Sequence, residues 1–321
     1  MDGNVCDNKQ YQTMPAGFLK EEEKCGHLVT AETKKLWAVQ LGCLEEIRKI
    51  CERHAIPYFA SGGTLLGAVR HHGYIPWDDD IDVMMFYDDY LRFCEIAPIE
   101  IQHPYFFQNY KTEPDFGPAL SRVRNSESTG CTFYDMNMAN GIYNCGIFVD
   151  VFPLCGIEDN WWRRVRQKTN LHFWRCIVSG NIMKRWAQRG TIKQKIYKWL
   201  HPYVWMWNIA SLFIDSEGVS DKVMKVCGSA KEYRKVGLLS FKGFYDKMIW
   251  EKKWFDELMT LPFENTSIPC PKEYDPILRT QYGDYMKFVK GGQIHTMVLF
   301  DTDTPYREKI NNVQQREHEL I

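Results

Sequence analysis

From Thr30 the chain places Trp37, Leu41, Leu44, Ile47 and Cys51 three or four positions apart with charges between them. That spacing predicts an amphipathic helix ending near His54, before Pro57. Tyr58-Phe59-Ala60 then reads as a short buried strand, Ser61-Gly62-Gly63 as a turn, and Thr64 to Arg70 as a short helix stopped by Gly73. The apolar half of Asp78-Asp79-Asp80-Ile81-Asp82-Val83-Met84-Met85-Phe86 predicts a second strand, with a helix around Asp88 to Glu95. Gly146 to Pro153 is a nearly continuous apolar run broken by Asp150, the pattern of a strand covered on both faces. From Asn160 onward the signals are mainly helical, with Asp275-Pro276 opening one late helix and Gly283 closing it. The alternation predicts an α/β (α+β) protein in three parts: a tail at 1–26, an α/β core at 27–158, and a mainly helical lobe at 159–321 packed on that core.

Composition narrows the class. The 321 residues are 45 % hydrophobic and 25 % charged, a globular balance that excludes long disorder and leaves room for a large core. Lys plus Arg is 40 against 41 for Asp plus Glu, so no general polyanion-binding field exists and nucleic acid is not an expected partner. The 11 cysteines are odd in number and form no C-x-x-C pair, so they are expected to be reduced. Met1 to Glu23 lacks the basic and apolar regions of a secretory signal, which together with the cysteines points to a cytoplasmic location. The most apolar stretch, Tyr197 to Ile214, is interrupted by Lys198, His201, Pro202 and Asn208, so it is not expected to span a membrane.

The chemistry concentrates in Ser61–Asp82. Glycines Gly62 and Gly63 at a helix start leave Thr64 and its neighbours with free amides suited to phosphate, although such glycines also serve backbone shape alone. Asp80 and Asp82 are separated by one residue on the predicted strand, so their side chains are expected to leave the same face, where two carboxylates can bracket one divalent cation. The competing reading is a solvated acidic turn, but the acids run directly into an apolar strand. Asp150, breaking a buried run, is the natural third acid. An oxygen-only set suits Mg²⁺, or Mn²⁺ in its place, and the scattered Cys131, Cys145 and Cys155 do not suggest zinc. Arg70 with His71 and His72, and Arg122 with Arg124, are cations that could meet phosphate or simply face water.

Joined, Gly62-Gly63-Thr64-Leu65-Leu66-Gly67-Ala68-Val69-Arg70 and Ile75-Pro76-Trp77-Asp78-Asp79-Asp80-Ile81-Asp82 closely resemble the signature of the LicD family, which includes the fukutin-type transferases. Val29-Thr30 through Trp37, Phe148 to Leu154, Tyr282-Gly283-Asp284-Tyr285-Met286 and Pro305-Tyr306 add to the likeness, which runs from about residue 28 to the end and is weakest between about 160 and 265. The resemblance implies a nucleotidyltransferase-like mixed sheet flanked by helices. It also implies a transferase moving a phospho-alcohol, phosphocholine first among the candidates, from a CDP-alcohol donor to a sugar hydroxyl of a glycan or its lipid-linked precursor. By position it implies Asp80 and Asp82 as the metal pair with Asp150 as third acid, all three catalytic. Gly62, Gly63, Thr64, Arg70 and Arg124 would then face donor phosphate. Cys155 stands where typical members often carry an acid. Transfer of the nucleotide itself, or a non-catalytic cation- or sugar-binding role, are the alternatives.

Charge is unevenly spread. Between Trp161 and Leu200 lie eleven Lys and Arg residues and no acid, interleaved with Trp and Tyr, which leaves the remainder of the chain acidic. The stretch 161–214 is therefore either a basic helical lobe packed on the acidic core or a peripheral contact with the inner face of a membrane.

Overall fold

A computed structural model describes residues 14–113, 116–117, 120–132, 135, 143–189, 201–238, 245–289 and 297–310, the side chains of 185–189 and 297–298 excepted. The strands are β1 (Glu22–Lys24), β2 (His27–Val29), β3 (Phe59–Ala60), β4 (Asp82–Phe86), β5 (Tyr105–Gln108), β6 (Ser121–Asn125), β7 (Thr129–Thr132), β8 (Ile147–Ile157), β9 (Lys235–Gly237), β10 (Ile249–Glu251), β11 (Leu258–Phe263), β12 (Thr266–Pro271) and β13 (Met297–Asp301). The helices are α1 (Ala31–Arg53), α2 (Gly62–His71), α3 (Tyr87–Glu100), α4 (Trp161–Arg189), α5 (Pro202–Ala210), α6 (Ser216–Cys227) and α7 (Tyr274–Tyr282). The fold is a mixed α/β one.

Its organiser is β8, buried along its whole length as the nearly continuous apolar run predicts. Parallel β4 pairs with it so that Asp82 stands opposite Asp150, and antiparallel β6 pairs with its first half so that Arg122 also stands opposite Asp150. β3 closes one side against β4, while β9 and then β10 join at the end of β8. α1 is capped by the Thr30 hydroxyl, which accepts from the Thr33 amide at 3.2 Å, and it buries Trp37, Leu41, Leu44 and Ile47 against the sheet as its periodicity predicts.

Three boundaries differ from the sequence reading. Helices occupy Trp161–Arg189, Pro202–Ala210 and Ser216–Cys227, and from Lys235 the chain also forms strands, of which β9 and β10 extend the central sheet. Strand β1 lies inside the expected tail and pairs with β2. α2 begins at Gly62 rather than after the glycines, and it ends on His72, whose φ of 53° supplies the left-handed cap expected of Gly73. A Cβ on Gly73 would meet the Glu264 carboxylate, which reaches in from the β11–β12 turn and would have to shift.

Candidate active site

The acidic segment is a loop until Asp82, where β4 begins. α1 holds that loop by its backbone. Trp37 Nε1 donates to the Asp78 carbonyl at 3.1 Å, and Gln40 Nε2 donates to the Asp79 carbonyl at 2.7 Å. Gln40 is wholly buried, and its Oε1 accepts from the Tyr74 hydroxyl at 2.9 Å. Tyr74 in turn stacks flat on Trp37 with ring centroids 4.4 Å apart. With its carbonyls fixed inward, the loop gathers oxygens of Asp78, Asp79 and Asp80 within 4.8 Å of one another.

Asp82 adds a fourth acid and Asp150 a fifth. Burial, and after it the neighbouring carboxylates Asp80, Asp150 and Asp78, push the Asp82 carboxyl well above the usual range, while Arg122 pulls the other way. Asp78 is raised for the same reasons, burial first and then Asp80 and Asp79. Such crowding of acids is costly unless positive charge offsets it. Two local sources exist. The N-terminus of α2 abuts the acids: a Cβ on Gly62 would lie 3.5 Å from Asp82 Oδ2, and one on Gly63 only 2.6 Å from Asp78 Oδ2. The glycines thus let the positive end of the helix approach the carboxylates closely. Thr64 is committed locally, its hydroxyl accepting from the Asp82 amide at 2.8 Å.

The other source is Arg122, whose Nε donates to Asp150 Oδ1 at 2.7 Å and whose guanidinium lies 3.9 Å from the Phe148 ring centre. Behind it, Arg124 is fully buried and donates to Gln108 Oε1 at 2.5 Å, to the Gly146 carbonyl at 2.7 Å and to Asp135 at 3.3 Å. The expectation that Arg124 faces donor phosphate is therefore corrected: its donors are spent inside the protein, where it ties β6 to the start of β8. Burial alone would raise the Asp135 carboxyl, but Arg124 and Arg122 hold it below the ordinary value.

Arg70 lies at the rim. Its Nη1 donates to the Tyr285 carbonyl at 2.7 Å, its Nε donates to His71 Nε2 at 2.9 Å, and its guanidinium stacks 4.7 Å from the Phe288 ring centre. Burial and the nearby charges of Arg70, Lys24 and His72 lower His71 to about 4. The C-terminal helix contributes a residue that spacing could not find. The Tyr282 hydroxyl lies 3.7 Å from the position a Gly62 Cβ would take, and burial together with Asp82, Asp78 and Asp80 pushes its ionisation upward. Asp78 and Asp79 were likewise outside the expected ligand set. Their membership in the four-acid run was the available signal, whereas the two-residue alternation singled out only Asp80 and Asp82.

An all-oxygen cluster of mutually repelling carboxylates, set beside a helix N-terminus, is a donor set that fits a hard divalent cation such as Mg²⁺. Residues 55–144 match the LicD/FKTN/FKRP nucleotidyltransferase domain. The chain is 29 % identical over 262 residues to the lipopolysaccharide cholinephosphotransferase LicD of Haemophilus influenzae, covering 78 % of this chain and 89 % of that protein. It is 30 % identical over 129 residues to the human ribitol 5-phosphate transferase FKRP, or 35 % of this chain and 25 % of that protein. A Rickettsia typhi protein of uncharacterised function is 40 % identical over 68 residues, 21 % of each chain.

Proposed function

We propose, from the match of residues 55–144 to the LicD/FKTN/FKRP nucleotidyltransferase domain, that the protein is a divalent-cation-dependent phosphotransferase that moves a phospho-alcohol, phosphocholine first, from a CDP-alcohol to a glycan hydroxyl with release of CMP. The relatives support a transferase of phosphorylated alcohols, one being a lipopolysaccharide cholinephosphotransferase and another a ribitol 5-phosphate transferase. The observation that carries the reading is the convergence of Asp78, Asp79 and Asp80 on one point beside Asp82 and Asp150.

In this reading Asp80 and Asp82, with Asp78 and Asp79 beside them, hold Mg²⁺ or Mn²⁺, and Asp150, oriented by Arg122, either completes the set or receives the acceptor's proton. The cation, when bound, supplies charge neutralisation at the diphosphate. The amides of Gly62, Gly63 and Thr64 at the start of α2 receive phosphate oxygens. Arg70 adds positive charge at the rim. The acceptor hydroxyl oxygen forms a bond to the phosphorus that carries the alcohol, the bond from that phosphorus to the CMP oxygen breaks, and CMP leaves. Positioning and electrostatics supply most of the rate in such a transfer.

The test is CMP release from CDP-choline, CDP-ribitol, CDP-glycerol and CDP-ethanolamine in the presence of a glycan acceptor, with Mg²⁺ and with chelator. Asp80→Asn and Asp82→Asn are each expected to lower turnover by roughly 100-fold or more, ~2.7 kcal/mol of barrier, while keeping the wild-type circular dichroism spectrum. Undiminished CMP release in chelator or in these variants contradicts the proposal. Pyrophosphate release from CTP would instead indicate transfer of the nucleotide.

A further inference from the structure

Away from the acids, α5 is an uncharged helix with two different apolar faces. One face packs: Val204 and Trp207 are buried, Trp207 against Ile177 of α4 and Val219 of α6. Gly180 of α4 makes this close approach possible, since a Cβ there would collide with the Tyr203 carbonyl. The other face is exposed. Trp205, Ile209, Leu212 and Phe213 recur at helical spacing on α5 and the turn that follows it, and they are 53, 62, 76 and 86 % exposed. Scattered surface hydrophobics are ordinary, but a run at i, i+4, i+7 and i+8 is a stripe.

Charge around the stripe indicates what covers it. No Asp or Glu occurs from Trp161 to Ile214, and eleven Lys and Arg precede the helix. Lys184 brings an ammonium to the helix itself, donating to Asn208 Oδ1 at 2.8 Å, next to Ile209. The first acid beyond the stripe, Asp215, is turned to cap the Gly218 amide at 2.7 Å. Self-association through this face would bring two such basic segments together, whereas an anionic bilayer offers apolar depth and negative charge at once. The helix lies on such a surface and does not cross it: none of the described helices is long and apolar enough to span, and nine residues reach roughly 14 Å against ~30 Å of hydrocarbon.

We propose that α5 and the turn after it are a membrane-surface anchor, with Trp205, Ile209, Leu212 and Phe213 entering the headgroup boundary of an anionic lipid leaflet beside Lys184 of α4. The inference does not rest on the catalytic reading and its test needs no substrate. The full chain is floated with phosphatidylcholine vesicles, with and without phosphatidylglycerol, alongside Trp205→Ser and the double variant Leu212→Ser/Phe213→Ser. The expected result is binding that requires phosphatidylglycerol and weakens by roughly tenfold or more, ~1.4 kcal/mol, in the double variant. The exposed positions should leave the melting temperature unchanged. Absence of binding to phosphatidylglycerol vesicles overturns the proposal, as does equal binding by the variants. A dimer in light scattering that the double variant dissociates also overturns it, and assigns the stripe to a second copy of the chain.

Discussion

Gln40 sits wholly buried between the acidic loop and Tyr74, with its amide engaged at both ends. Replacing it by Leu keeps the volume but leaves the Asp79 carbonyl and the Tyr74 hydroxyl without these bonds in the interior, where each orphan costs about 1–3 kcal/mol. Gln40→Leu should therefore lower unfolding free energy by about 2–6 kcal/mol in a urea titration, and should weaken Mn²⁺ binding measured by paramagnetic resonance. Arg124 is expected to matter for stability and not for catalysis directly. Arg124→Met removes one of the two arginines paired with the buried Asp135 and should lower unfolding free energy by about 3 kcal/mol in the same titration. His71 gives a pH signature. Because its folded-state value is lowered from 6.5 to about 4, the unfolded chain binds its proton first, so stability falls as pH drops through that window. His71→Gln should flatten the melting temperature over that pH range relative to wild type.

At the scale of elements, two glycines of one helix make opposite predictions. A Cβ at Gly67 meets the Gly73 carbonyl at 2.4 Å, a backbone atom with nowhere to move, so Gly67→Ala should cost about 1–3 kcal/mol of stability through overpacking. A Cβ at Gly63 meets only the Asp78 carboxylate, which can swing aside. Gly63→Ala should thus keep its melting temperature and lose cation-dependent turnover. The elements themselves were largely legible: the three-and-four spacing found α1, and the nearly continuous apolar run around Asp150 found β8. The site was legible in part. Alternation along a strand pointed to Asp80 and Asp82, but the strand starts only at Asp82, and what brings Asp78 to it is a loop pinned from α1 by Trp37 and Gln40. Local periodicity carries no trace of such a pin, and none of the approach of Tyr282 from a helix near the other end of the chain.

For the molecule as a whole, the expected break near residue 158 is replaced by a sheet that runs through it. β8 passes from its pairing with β4 straight into its pairing with β9, and β12 packs on β3. Sequence patterning sees each segment's face but not its distant partner, which is why the strands after 235 could not be placed. Hydrogen exchange should show β4, β8 and β9 opening together at the global unfolding free energy, with α5 exchanging sooner. Earlier exchange of β9 than of β4 would restore a two-part core. The backbone pin of the acidic loop has a further consequence for design. Trp37 and Gln40 grip carbonyls, which every residue type possesses, so the loop is a socket whose side chains can be exchanged while its path is kept. Imidazoles or thiolates grafted at 78–80 would retune the preferred ion from hard to soft within an unchanged frame.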